Sequence, residues 1–176
     1  IADCKVFYPL AYYAAYFSVR GEDFDGATVI QGREAVRRRM NEISMKGKEA
    51  SAKEEAAYST FQIANEMLAR GIEVLPVDLY KSDAKKYVVE NGKIRLPFSS
   101  LAGVGEAAAN ALAEARETGG PYISVDDLQA RSKVSKAVIE MLEQAGSLKE
   151  LPAISQMTLF YTVSYTHLTM PTNYRV

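Results

Sequence analysis

A short segment with two glycines, Gly103-Val104-Gly105, has residue types and spacing that suit phosphate binding. An alanine-rich run over residues 106–117 follows it and favours a helix. Glycine permits positive φ and leaves no Cβ in the path of an approaching group. A tight turn here would present unpaired N–H groups at the positive end of the helix dipole, where a phosphate oxygen can bind. The segment therefore predicts a helix-hairpin-helix motif, with a short first helix ending near Ala102.

A glycine-rich turn between two packed helices, without any ligand, accounts for the same residues. A degenerate second copy of the pattern favours the binding interpretation. Residues 124–131 are predicted to form a capped helix, Lys133-Val134-Ser135 lies where the turn would be, and residues 136–145 form the next helix. Two hairpins in tandem can bind both strands of a duplex through their phosphates, a role that suits Lys133 and Lys136. The second turn departs from the pattern, because lysine and serine replace its glycines.

The elements that must position the hairpins are predicted to be mainly helical. Residues 9–19 form an apolar helix opened by Pro9, which is either buried or packed on a neighbour; base stacking by its aromatic side chains is the alternative. Residues 32–46 form a second helix, and its arginines are read as a solvated face in preference to a phosphate contact. A third helix begins with a capping box at Ser51 and Glu54 and runs to Arg70, with Gly71 as the residue that follows its end.

A small β element is predicted between these helices and the hairpins. Residues 72–77 read as a strand that Pro76 places at an edge or an end. Residues 87–96 read as a β-hairpin, because Asn91-Gly92 favours a type I′ turn. The predicted fold class is therefore mainly α with a small strand and hairpin element (α+β), with the tandem helix-hairpin-helix unit in the C-terminal half.

Composition limits the classes of function. The sequence is 48% hydrophobic and 24% charged, which is typical of a globular protein. Its net charge of −1 gives no nucleic-acid signal, so DNA contacts would have to come from local patches. Cys4 is the single cysteine, and it is read as a reduced structural thiol. No apolar run reaches membrane-spanning length and no secretory signal opens the chain, so we expect a cytoplasmic location. The absence of an initial Met predicts a fragment of a longer protein.

Near the end of the sequence, a short peptide has two large apolar side chains after a glutamine. Its residues are Gln156, Met157, Thr158, Leu159 and Phe160. Leu159 and Phe160 could fill a pocket on a partner while Gln156 hydrogen-bonds its rim. Alternatively, the peptide folds back on its own core. The residues alone leave both interpretations open.

Six segments, in order, resemble the PolC type of the bacterial DNA polymerase III alpha subunit near its C-terminal end. They are residues 8–20, 64–71, 77–84, 103–105, 133–136 and 156–160. The last, Q-x-x-L-F, is similar to the motif by which these polymerases bind the ring-shaped sliding clamp. Residues 161–176 do not fit the family and look like a non-native tail; they contain the single histidine, His167.

The resemblance implies a DNA-directed DNA polymerase whose two metal ions, Mg²⁺, are bound by palm-domain carboxylates upstream of this sequence. We therefore assign no catalytic residue, metal ligand or cofactor here. The implied regions are the end of the fingers (1–71), a connector (72–97), the tandem helix-hairpin-helix duplex-binding domain (98–151), the clamp-binding peptide (152–160) and the tail (161–176). The predicted DNA-binding residues are Gly103, Val104, Gly105, Glu106, Ala107, Lys133, Ser135 and Lys136.

The implied partners are double-stranded DNA, the sliding clamp (the beta subunit) and the upstream polymerase domains of the same chain. Two other classes of function stay open. One is a repair or recombination adaptor that uses the same hairpins without polymerase chemistry. The other is a helical protein–protein module in which Gly103-Val104-Gly105 is only a turn.

Overall fold

The computed structural model describes residues 2–21 and 24–153. The helices are α1 (Ala2–Phe7), α2 (Pro9–Val19), α3 (Gly26–Val29), α4 (Arg33–Lys46), α5 (Ala52–Ala69), α6 (Glu106–Gly119), α7 (Val125–Ser132) and α8 (Lys136–Gln144). The strands are β1 (Val74–Leu75), β2 (Val88–Glu90) and β3 (Lys93–Arg95). The mainly helical fold with a small sheet agrees with the predicted class.

Local signals define the long helices. Pro9 occupies the first turn of α2, whose bounds match the prediction. Ser51 and Glu54 form the predicted capping box of α5, in which the Ser51 side chain accepts from the Glu54 N–H and the Glu54 carboxylate accepts from the Ser51 N–H. Gly71 follows the helix with a φ of 82°, as a glycine after a helix end commonly does. Helices α4 and α5 pack against each other.

The sheet has the strand order β1-β3-β2. β1 pairs with β3 in parallel, with Val74 opposite Ile94, and β2 pairs with β3 antiparallel, with Val89 opposite Ile94. Asn91 and Gly92 both have positive φ, 50° and 75°, which agrees with the predicted type I′ turn. β1 is shorter than predicted and ends before Pro76, which lacks the N–H that would continue the strand.

One continuous cluster of buried side chains extends from α2 to the segment after α8. Its fully buried members include Tyr13, Phe17, Phe61, Met67, Ile94, Phe98, Leu112, Leu128 and Leu142. The hairpin helices therefore share their core with the N-terminal helices, and this shared core fixes where the hairpins lie.

The aromatic N-terminal stretch is buried on one side only. Tyr13 and Phe17 of α2 are fully buried, whereas Phe7 and Tyr8 are 72% and 70% exposed. Across residues 2–21 and 24–153, no helix combines the length and the apolar character that a membrane-spanning segment requires.

Candidate nucleic-acid interface

The first hairpin begins with a single 3₁₀ turn, Phe98–Ser100, and not with the short α-helix that was predicted to end near Ala102. Two tertiary hydrogen bonds explain the difference. The N–H of Phe98 donates to the carbonyl of Asp83 at 3.0 Å, and the N–H of Ser99 donates to that of Ala84 at 3.1 Å. Pro97, just before the turn, has no N–H of its own. These two hydrogen bonds hold the 3₁₀ turn against the loop before β2.

The turn itself has one buried residue between two exposed ones. Gly103 has a φ of 79°, Val104 is only 6% exposed, and Gly105 is the N-cap residue of α6. A Cβ built on either glycine would meet nothing within 4 Å. Val104 therefore anchors the turn in the core while the glycine backbone faces open space.

The second hairpin repeats this geometry with different residues. Lys133 adopts the left-handed conformation (φ 57°, ψ 24°), Val134 is buried, and Ser135 is the N-cap residue of α8. The Lys133 N–H donates to the Gln129 carbonyl at 2.8 Å and so closes the end of α7. The loss of the glycines changes the side chains of the turn, but it does not change the order of left-handed residue, buried valine and N-cap.

The two hairpins differ at their helix N-termini. No side chain caps the first turn of α6 in the described part of the chain, whereas the Ser135 hydroxyl accepts from the Val138 N–H in α8, at 3.4 Å. Glu106 and Ala107, both exposed, form the first turn of α6. Free N–H groups are what an incoming anion needs, so the first hairpin offers the more open backbone site.

Arg131 joins the two hairpins into one unit. Its Nη2 donates to the carbonyls of Ala115 at 2.7 Å and Gly120 at 3.0 Å, which lie at the end of α6. The guanidinium also stacks 4.4 Å from the centre of the Tyr122 ring. Burial raises the pKa of the Tyr122 hydroxyl. These contacts position α7, and with it the second turn, relative to α6.

A cavity of about 620 Å³ lies between the first hairpin and helices α2, α4 and α5. Residues 101–106 form one of its walls, and Arg39, Lys53 and Lys85 line it from three other segments. Lys85 Nζ lies 3.5 Å from Glu106 Oε2. Lys53 and Lys85 are not among the predicted DNA-binding residues, because no spacing in the sequence relates them to the hairpin.

The arginine-rich run of α4 is divided between internal contacts and solvent. Arg33 Nε donates to Asn65 Oδ1 at 3.1 Å, and Arg39 pairs with Glu42 at 2.9 Å. Arg37 and Arg38 are exposed. This arrangement fits the predicted solvated face.

No group of three or more His, Cys, Asp or Glu side chains within residues 2–21 and 24–153 is placed to bind a metal ion. The peptide from Gln156 to Phe160, and His167, lie outside the described residues.

Comparison with known proteins adds to this geometry. A family model described as a helix-hairpin-helix motif matches residues 71–157. The PolC-type DNA polymerase III of Thermotoga maritima is 45% identical over 161 residues, which is 91% of this chain and 12% of that protein. Those of Caldanaerobacter subterraneus and Listeria monocytogenes are 45% and 44% identical over 160 residues, 91% of this chain and 11% of each relative. The chain thus spans 11–12% of the length of these relatives.

Proposed function

Because this chain is a relative of PolC-type DNA polymerase III and contains a helix-hairpin-helix motif, we propose that it is the duplex-binding part of a replicative DNA-directed DNA polymerase. Nucleotidyl transfer of this kind uses metal ions bound by carboxylates. The resemblance assigns those carboxylates to a part of the polymerase that precedes this sequence, so the proposed role of these residues is to bind the duplex.

The observation that supports duplex binding is the repeated turn. Gly103-Val104-Gly105 and Lys133-Val134-Ser135 each begin with a positive φ, continue with a buried valine and end with an extended N-cap residue directly before a helix. A pair of equivalent turns joined by the Arg131 contacts can contact phosphates on both strands. The proposed contacts are the backbone of Gly103, Val104, Gly105, Glu106 and Ala107 in the first hairpin, and Lys133, Ser135 and Lys136 in the second.

Backbone contacts also suit the proposed role chemically. N–H groups and lysines that bind phosphate carry no base information, and a replicative polymerase must hold every sequence equally well. A net charge of −1 excludes a strong overall attraction to DNA, so affinity must come from these local groups.

We further propose that Gln156, Leu159 and Phe160 tether the polymerase to a sliding clamp. The support is the order of residue types, a glutamine followed by two adjacent apolar anchors. A ring that stays on DNA raises the effective concentration of a tethered enzyme at its template.

The test is duplex binding by the full chain, measured by fluorescence anisotropy on two labelled duplexes of unrelated sequence and repeated across salt concentrations. We expect equal affinities for both sequences and a steep loss between about 50 and 200 mM salt, because phosphate contacts release counterions. Circular dichroism on the same sample verifies the helical fold. If the chain is folded but does not bind the duplexes, the proposal is contradicted. Binding that is insensitive to salt, or that occurs with only one of the two sequences, would contradict it as well.

A further inference from the structure

Cationic side chains from separate parts of the chain line the cavity beside the first hairpin. Lys53 comes from the first turn of α5, and Lys85 from the segment between β1 and β2. Both share the cavity wall with Gly103 and Gly105. Its volume of about 620 Å³ is of the size that holds ligands, for which about 300–1,000 Å³ is typical.

The carboxylates that line this cavity already have partners. Asp25 accepts hydrogen bonds from the N–H and hydroxyl of Thr28, and Glu54 belongs to the capping box and pairs with Lys46. The third carboxylate, Glu106, is paired with Lys85, but the two atoms are 3.5 Å apart and the side chains are 69% and 55% exposed. An ion pair so exposed contributes little stability, so its exchange for another partner costs little.

We propose that this cavity is a second phosphate subsite, which binds the sugar–phosphate backbone of the duplex strand next to the phosphate held at the first hairpin. Lys85 and Lys53 are its cations. On binding, Lys85 exchanges the Glu106 carboxylate for phosphate oxygens. This inference rests on the proposed function, because it extends the contact of the same hairpin along the same strand.

Glu106 gives the exchange a physical reason. Its carboxylate belongs to the first residue of α6, where it suits the helix dipole but repels an incoming phosphate. The positive charge of Lys85, which stays beside both groups when it moves from the carboxylate to the phosphate, reduces this repulsion. Lys85 therefore has two effects on affinity, one through Glu106 and one through the phosphate itself, and the two can be measured separately.

The experiment compares the full chain with Lys85→Ala, Lys53→Ala, Glu106→Gln and the double variant Lys85→Ala/Glu106→Gln in the duplex and salt titration. Lys81→Ala is the matched control: Lys81 also lies 3.5 Å from a carboxylate, that of Glu90, and is 60% exposed, but it does not line the cavity. We expect Lys85→Ala and Lys53→Ala each to weaken binding several-fold and to reduce the salt slope by about 0.9, the value of one phosphate contact. Glu106→Gln should tighten binding.

The double variant decides the role of Lys85. If Lys85 contacts phosphate, its loss still weakens binding and lowers the salt slope when Glu106 is already neutral. If Lys85→Ala has no effect in the Glu106→Gln background, or if both lysine variants behave like Lys81→Ala, the subsite is wrong. Gly105→Val, measured alongside, separates the two proposals. If Gly105→Val loses binding while the two lysine variants bind as the unaltered chain does, the proposed function stands and only the subsite is wrong. If Gly105→Val also binds as the unaltered chain does, the proposed function is contradicted as well.

Discussion

Lys133 occupies in the second hairpin the place that Gly103 occupies in the first, and both residues have positive φ, 57° and 79°. Each is followed by a buried valine and then by the N-cap residue of a helix. A lysine in the left-handed region costs on the order of 1–2 kcal/mol. The chain thus places a strained cationic residue where a phosphate contact would gain from its charge.

Replacing Lys133 with glycine separates that strain from function. Lys133→Gly relieves the left-handed conformation, and we expect the free energy of unfolding to rise by roughly 1 kcal/mol, less the entropy that glycine adds to the unfolded chain. Duplex affinity should fall and the salt slope should shrink by about 0.9. Chemical denaturation and the duplex titration, made on the same preparation, measure the two effects.

Asn91→Gly is the control for that change. Asn91 also has a positive φ, 50°, but it lies in the β2–β3 turn. The Asn91→Gly substitution should leave duplex binding unaltered. Its gain in stability should be smaller than that of Lys133→Gly, because asparagine tolerates this region better than lysine. Equal duplex affinity in Lys133→Gly and the unaltered chain would show that Lys133 does not contact phosphate.

Gly103 needs a positive φ, and Gly103→Ala tests whether this turn contacts the duplex, with Gly71→Ala as its control. Gly103→Ala introduces backbone strain at a φ of 79°, and Gly71→Ala introduces the same strain at a φ of 82°, away from the hairpins; a Cβ at either has open space. We expect both variants to lose about 1 kcal/mol of stability, and only Gly103→Ala to weaken duplex binding. If both variants lose duplex affinity to the same extent, the loss comes from reduced stability and not from a contact at Gly103.

Gly105 requires no special conformation, because its φ of −74° suits any residue and nothing lies within 4 Å of an added Cβ. Gly105→Val should therefore still fold, at a cost of about 1 kcal/mol because valine is a poor N-cap residue, and circular dichroism verifies the fold. The added side chain stands where a phosphate would approach the α6 N-terminus, so we expect duplex affinity to fall for every sequence alike. Anisotropy on the two unrelated duplexes measures it, and an unchanged affinity would exclude this backbone from the contact.

The features that the sequence predicted best are those set by neighbouring residues. The capping box of Ser51 and Glu54, the turn at Asn91 and the start of α2 at Pro9 each depend on a few consecutive side chains. Contacts across the fold decided the features that the sequence did not predict. The first hairpin helix became a 3₁₀ turn because the N–H groups of Phe98 and Ser99 donate to the loop before β2.

In the candidate site, too, the sequence predicted the features that depend on neighbouring residues and not those that depend on contacts across the fold. Gly103 is recognisable because its positive φ favours glycine, whereas the φ of Gly105 would suit any residue. Lysine has no such preference, so the sequence could not show that Lys133 adopts the glycine conformation. Lys53 and Lys85 meet the hairpin only through the shared core, which the spacing of residues does not encode.

Acid stability should depend on Glu54. The ammonium of Lys46, followed by the Ser51 N–H, lowers the pKa of the Glu54 carboxyl from 4.5 to about 2. A carboxyl with a lower pKa in the folded state stabilises fully above its unfolded pKa, and this stabilisation is lost as the pH falls from about 4.5 towards 2. We expect Glu54→Gln to lower the free energy of unfolding at neutral pH and to lose less than the unaltered chain on acidification.

Glu55→Gln, in the same first turn but outside the capping box, is the control for Glu54→Gln. Denaturant titrations at neutral pH and at about pH 3 compare the three proteins. An unaltered dependence on pH in Glu54→Gln would show that the capping carboxylate does not contribute to acid stability.

Clamp binding, if it uses the terminal peptide, should depend on the two apolar anchors far more than on the residues between them and Gln156. Leu159→Ala combined with Phe160→Ala removes the side chains that would fill the pocket of the clamp, and we expect binding to purified sliding clamp to disappear in surface plasmon resonance. Thr158→Ala changes a spacer position of Q-x-x-L-F and should bind as the unaltered chain does. Duplex affinity should be the same in all three proteins, because the hairpins are untouched. Clamp binding that survives the double change would mean that another surface makes the contact.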